Sequence, residues 1–191
     1  ARHFAAMKGG TLFLFPTSAE AESFRTLRPR AECRIIGVGM AEAGAGAAHC
    51  LAATGCRRAV LCGIAGACDD RAAVGEAVEV VADAVAGLPA AYFTLYRCPR
   101  ATELPAARSL TVSRTGDAMR GDTATEDPTL NALPLVEQME GAAVAAACRA
   151  FGAEFVHLRA ISNRVGDPRA EWRVAEAAEA LAHAAARLIE E

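Results

Sequence analysis

Four segments of the sequence combine residue types and spacings that could do chemistry. In Val136-Glu137-Gln138-Met139-Glu140-Gly141-Ala142-Ala143, Glu140 stands among apolar residues where a helix begins to be buried. A charge there needs a partner, either a bound ligand or the positive end of the helix. In Gly63-Ile64-Ala65-Gly66-Ala67, two glycines separated by small residues close a buried strand. Open α/β sheets receive ligands at such strand ends, and close packing would demand the same residues. Arg159-Ala160-Ile161-Ser162-Asn163 is an apolar strand ending in a polar pair, and Asn163 reads either as a ligand contact or as a turn former. The fourth segment, Gly37-Val38-Gly39, lacks the third glycine of a dinucleotide fingerprint because Met40-Ala41-Glu42 follows. The chain's one lysine, Lys8, supplies no phosphate loop. Close packing of a helix on the sheet is the better reading of these glycines.

The elements that must position these segments follow from apolar runs and punctuation. Strands are expected at residues 11–15, 33–38, 58–62, 77–85, 92–97, 109–113 and 155–161. Helices are expected at 19–27 behind a Thr17 or Ser18 cap, at an alanine-rich stretch ending near Gly55, and at 137–150 with Gly152 beyond. A last helix runs from an Asp167 cap and Pro168 to the C-terminus. Residues 63–67 read as a turn and 114–133 as a long loop. This alternation gives a three-layer α/β/α fold around a mixed sheet, with residues 1–10 a poorly ordered leader and 11–191 one domain.

Composition narrows the function. The 191 residues are 53% hydrophobic, which excludes a disordered chain. The apolar run at 59–68 is half the roughly 20 residues that span a bilayer. A net charge of −3 argues against a nucleic-acid binder. Seven irregularly spaced cysteines, no C-x-x-C pair and four histidines read neither as a disulfide framework nor as a zinc site. The start of the chain has no long apolar core, so a cytoplasmic, reduced setting and no metal are expected.

In their order along the chain, the four segments resemble the purine nucleoside phosphorylase and nucleosidase superfamily, on its methylthioadenosine/S-adenosylhomocysteine nucleosidase branch. The resemblance spans about residues 11–190. Within that branch the chain looks most like the futalosine hydrolases. Thr111-Val112-Ser113-Arg114-Thr115-Gly116, Met139-Glu140-Gly141-Ala142-Ala143 and Ile161-Ser162-Asn163-Arg164-Val165, with Arg169 and Trp172 beyond, carry that narrower likeness.

The resemblance implies a cofactor-free hydrolase that releases hypoxanthine from futalosine, a step of menaquinone biosynthesis. A methylthioadenosine-type nucleosidase and a catalytically silent nucleoside-binding module are the alternatives. Aligning the first strand places the water-activating base on Glu20, with Glu22 as fallback. Glu140 would accept from the ribose hydroxyls, Met139 would pack on the sugar, and Ile64 would lie against the substrate. Asn163 stands where adenine-specific members carry an aspartate. Its amide donates and accepts but cannot deliver a proton, which favours a 6-oxopurine. Arg164, Arg169 and Trp172 would form a lid, an arginine meeting the substrate's carboxylate, and Met119 would line the base pocket. Related phosphorylases bind phosphate at positions occupied here by Leu61 and Ile64, neither of which holds an anion, so water is the expected nucleophile. A homodimer or larger homo-oligomer is implied.

Overall fold

A computed structural model describes residues 10–120 and 123–189; the expected leader, apart from Gly10, lies outside the described residues. The chain runs β1 (Thr11–Phe15), α1 (Ser18–Leu27), β2 (Glu32–Ile35), α2 (Met40–Thr54), β3 (Arg58–Ala67), β4 (Ala77–Val85), β5 (Tyr96–Arg97), β6 (Ala106–Thr111), α3 (Pro128–Asn131), β7 (Leu135–Gln138), α4 (Gly141–Phe151), β8 (Glu154–Arg164) and α5 (Val174–Ala186). The mixed α/β architecture is as expected. The sheet is ordered β2-β1-β3-β7-β6-β4-β5, and β8 pairs with both β3 and β4. That double pairing closes β3, β8, β4, β6 and β7 into a circuit.

Each layer buries its own apolar stripe. Phe13 and Phe15 of β1 stack on Phe24 of α1, at 4.6 and 5.4 Å between ring centres, and Leu181 of α5 completes that side. On the opposite side α2 and α4 cover Leu12, Leu14 and Leu61 with alanines and with Val144. Small side chains let α2 approach closely. A Cβ on Gly46 would meet the Ile36 carbonyl oxygen at 2.7 Å, which agrees with the packing role read for this glycine-rich stretch. A third cluster, including Val78, Val80, Val136 and Ile161, fills the strand circuit.

Several boundaries differ from expectation, each for a physical reason. The expected helix at 137–150 begins only at Gly141, because Glu137 and Gln138 end the four-residue strand β7. Residues 63–67 are not a turn. β3 continues through them, paired to β8. Asp167 does not cap the last helix, since its carboxylate accepts from the Arg164 N–H, and Pro168 leads into a 3₁₀ turn at Arg169–Glu171 before α5 starts at Val174. The strand expected at 33–38 is Glu32–Ile35, that at 92–97 is reduced to Tyr96–Arg97, and that at 109–113 is Ala106–Thr111. The expected 114–133 loop contains a 3₁₀ turn at Asp117–Arg120 and the short α3.

A cavity with two carboxylates held across one peptide

A cavity of about 320 Å³ opens where β1, β3, β7 and β8 end, and Glu20, Ile64, Gly66, Glu137, Gln138, Met139, Glu140, Arg159 and Asn163 contribute to its wall. Glu20 enters it from the first turn of α1. Thr17 caps that helix by accepting from the Glu20 N–H, and its hydroxyl donates to Glu20 Oε2 at 2.6 Å. Glu20 Oε1 accepts from the Ile64 N–H at 2.9 Å. The carboxylate is thus aimed by two hydrogen bonds, one to each oxygen, while only 5% of the residue is exposed. Glu22, the fallback, is exposed on α1 and does not contribute to this cavity wall.

Glu140 stands at the N-terminus of α4, also buried. Its Oε1 accepts from Gly39 N–H at 3.1 Å, across the turn between β2 and α2. Gly39 has φ +86, a backbone region that L side chains avoid. Glu140 Oε2 meets Nη1 of Arg159 at 3.2 Å. The same Nη1 donates to the Ile64 carbonyl at 3.0 Å. Residue 64 therefore ties the two carboxylates together, its N–H held by Glu20 and its C=O held by the arginine that pairs Glu140.

Arg159 was legible only as part of a motif, and its surroundings explain how a full charge lies at 1% exposure. Nε donates to His157 Nε2 at 2.8 Å and Nη2 donates to Gln138 Oε1 at 2.9 Å. Gln138 Oε1 also accepts from the Glu140 and Gly141 N–H groups. The Gln138 amide nitrogen donates to Asp83 Oδ2 and to the hydroxyls of Ser109 and Thr111. Burial holds His157 well below the ordinary imidazole range, and the neighbouring Arg159 charge adds to this. The neutral ring accepts the Arg159 hydrogen bond at Nε2. Burial also pushes the Asp83 carboxyl up to about 6, against the opposing Ser109 and Thr111 hydroxyls and Arg159 charge.

At the far end of the cavity the register of β3 against β8 slips, so that Ala65 faces Ile161 but Gly66 faces Asn163. Ser162 is the extra residue of the resulting bulge, and bulges re-aim side chains beside sites. Ser162 Oγ donates to Asn163 Oδ1 at 2.7 Å, and Asn163 Nδ2 donates to the Arg164 carbonyl at 2.8 Å. These two bonds fix which way the amide faces. Arg169 lies over the Trp172 ring at 4.2 Å, and both border the cavity mouth. The indole N–H donates to the Asp167 carbonyl at 3.1 Å.

Glu20, Ile64, Met139, Glu140, Asn163, Arg169 and Trp172 are therefore brought together, as expected. Two expected contacts are not. Arg164 turns outward, pairing with the Asp70 carboxylate and the Asp69 carbonyl, because the last residue of β8 points away from the bulge. Met119 is 58% exposed and outside the cavity wall. The backbone just before it, at Gly116 and Ala118, is instead drawn in by Glu137. Sequence reasoning read Thr17 only as a helix cap, which it is, and missed Glu137, Gln138 and His157. The available signal was polar residues on strands otherwise too apolar to be solvated. Among the described residues no group of three or more metal-ligating side chains occurs, and no helix is long and apolar enough to cross a membrane.

The sequence and the fold are both similar to those of known proteins. A sequence profile of the Phosphorylase superfamily matches residues 100–191. The chain is 35% identical over 180 residues to futalosine hydrolase of Thermus thermophilus, covering 81% of this chain and 79% of that one. It is 39% identical over 103 residues to futalosine hydrolase of Streptomyces coelicolor, covering 50% and 44%. The fold matches a futalosine hydrolase mutant of Helicobacter pylori with TM-score 0.82 at 12% identity, over 95% and 98% of the two chains. It also matches the 5′-methylthioadenosine/S-adenosylhomocysteine nucleosidase of that organism, solved with butyl-thio-DADMe-Immucillin-A, with TM-score 0.79 at 11% identity over 94% and 97%. The chain belongs to the futalosine hydrolase family.

Proposed function

We propose that this chain hydrolyses the N-glycosidic bond of futalosine, releasing hypoxanthine and the dehypoxanthinyl sugar acid. The observation that carries the reading is the pair of buried carboxylates, Glu20 and Glu140, fixed across the Ile64 peptide on one cavity with Asn163 at its far end.

The chemistry follows from what each group can give. Breaking the bond places positive charge on the anomeric carbon and negative charge on the departing purine. Glu20 takes a proton from water as that oxygen bonds to the anomeric carbon, a step for which a positioned base supplies about 10²–10⁴-fold. Its hydrogen bonds from Thr17 and Ile64 hold it in line. Glu140, acceptor-only, suits the two hydroxyls of the ribose, and half-buried Met139 supplies an apolar wall for the sugar. Asn163 offers the purine edge a donor and an acceptor, with no proton to give. Arg169, stacked on Trp172 at the mouth, suits the carboxylate of the 5′ end.

Water rather than phosphate as nucleophile is supported by the surroundings of Arg159, the cation beside the two carboxylates. Leu61 is in the core, Ile64 gives its N–H to Glu20, and Arg159 directs Nε, Nη1 and Nη2 at protein acceptors. The reading carries with it a cytoplasmic homo-oligomer. Seven unpaired thiols fit a reducing compartment, and Val38, half exposed on the cavity wall, is a surface that a second subunit would cover. Chromatography of the free bases released from futalosine, inosine and methylthioadenosine, with and without phosphate, tests the activity. Hypoxanthine from futalosine without phosphate is expected. Adenine from methylthioadenosine alone, or turnover only with phosphate, overturns the reading. Glu20→Gln should abolish turnover and retain ligand binding.

A further inference from the structure

Glu137 is a third carboxylate on the cavity wall, and neither water activation nor ribose binding uses it. Strand residues alternate between faces, so while Gln138 turns to Asp83 and Thr111, its neighbour Glu137 turns the other way. Glu137 Oε1 accepts from the Gly116 N–H at 2.7 Å and Oε2 from the Ala118 N–H at 3.3 Å. Gly66 lies between Glu137 and Asn163. A Cβ there would stand 3.6 Å from Glu137 Cγ and 3.2 Å from Asn163 Nδ2. The absent side chain leaves a flat floor, flanked by a carboxylate on one side and a carboxamide on the other.

Only 5% of Glu137 is exposed. Burial pushes its carboxyl above the ordinary range, while the two backbone amides favour the ionised form. A carboxylate has about four lone-pair sites, so two remain for a ligand after Gly116 and Ala118 are served. The purine edge that suits such an acceptor is a lactam. In a 6-oxopurine N1 carries hydrogen and donates. In adenine N1 is a lone pair, and opposing it to a buried carboxylate leaves both groups unsatisfied, which a closed site penalises heavily.

We infer that Glu137 is a specificity-determining residue that accepts the N1–H of a 6-oxopurine, while Asn163 serves the remaining edge of the base. By holding the Gly116 and Ala118 N–H groups it also anchors the turn that follows Thr115, a residue of the cavity wall. The inference rests on the proposed nucleoside hydrolysis and adds to it the group that rejects adenine.

The test compares a 6-oxopurine nucleoside with its 6-amino counterpart carrying the same 5′ group, on the wild-type protein and on Glu137→Gln. The carboxamide can donate to adenine N1, which the carboxylate cannot. Glu137→Gln should lower kcat/KM for the 6-oxo substrate roughly 10- to 100-fold and shrink the 6-oxo over 6-amino preference by at least about tenfold. An equal loss on both substrates, the signature of a loop latch alone, overturns the inference, as does an unchanged preference. If the variant does not fold, product inhibition of the wild-type protein decides: 1-methylhypoxanthine, which lacks the N1–H, should inhibit at least about tenfold more weakly than hypoxanthine, and equal inhibition refutes the role. A wild-type protein that releases no base from either nucleoside defeats the proposed function instead, so the two failures are told apart.

Discussion

Gly63 should tolerate no side chain, and the reason is contact rather than backbone conformation. Its φ lies outside the left-handed region. A Cβ there would stand 2.4 Å from Arg159 Nη1, 3.1 Å from Cζ and 3.3 Å from Glu20 Oε1. Nη1 would have to retreat by about 1 Å to reach ordinary contact distance. It cannot do so freely, because the guanidinium is bonded to His157, Gln138, Glu140 and Ile64. The two bonds made by Nη1 are the ones stretched, and hydrogen bonds to charged groups are worth about 1.5–3 kcal/mol each. With part of the strain relaxed, Gly63→Ala should cost about 3 kcal/mol, a fall in Tm of roughly 6–12 °C for a domain of this size. The same displacement disturbs both carboxylates, and a 1 Å misplacement can cost about 10²-fold in rate. Thermal unfolding and kcat/KM on the 6-oxopurine nucleoside should therefore fall together. Gly152→Ala is the control: φ is +67, nothing lies within 4 Å of the added Cβ, and about 1–2 kcal/mol of stability should be lost with kcat/KM unchanged. A Gly63→Ala protein with wild-type Tm and activity would refute the claim that the Arg159 cluster is rigid.

Three further outcomes follow from the same geometry. Asp83 has its carboxyl pushed up to about 6 from an ordinary 3.8, so the folded state binds its proton more tightly than the unfolded chain does. Its stabilising contribution is present below about pH 4 and lost as pH rises through 6, about 3 kcal/mol in all; denaturant melts of Asp83→Asn should show a flatter decline over that window, and a decline parallel to wild type would count against it. Asn163→Asp sets a carboxylate oxygen where Nδ2 now donates to the Arg164 carbonyl at 2.8 Å, so that oxygen must carry a proton; kcat/KM on a 6-oxopurine nucleoside should fall about tenfold or more, and unchanged turnover would dismiss the role given to the amide. Trp172, the chain's one tryptophan, borders the cavity, so titrating Glu20→Gln with substrate should change its emission saturably; a flat titration alongside calorimetric binding would place the ligand elsewhere.

What the sequence disclosed and what it hid divide along a physical line. Elements with long apolar patterns and ordinary caps were readable: β1 and β4 have the expected bounds, and Gly55 and Gly152 close their helices in left-handed conformation. Glu20 was reachable as a position after the first strand, but not as a choice over Glu22, since both lie in the early turns of one helix. Only the docking of α1 beside β3, where Glu20 meets Gly63 and Ile64, buries one and leaves the other exposed. β7 was hidden because four residues leave no period to count, and its two polar members, Glu137 and Gln138, look like the start of the helix that follows.

The same confusion concealed the support of the site. His157 and Arg159 sit two apart on a strand whose other residues are mostly apolar, and residues two apart share a face. A charge on a strand buried on both sides has to be met by acceptors from elsewhere, and here they come from residue 157 of its own strand, from β7, from β3 and from the N-terminus of α4. No local pattern announces a partnership among segments so far apart in the chain. Its existence is nevertheless implied once Arg159 is accepted as buried, because an unmet guanidinium would cost more than the fold can lose. The placement of Glu140 and Ile64 is then a consequence of satisfying Arg159 as much as of any demand made by the substrate.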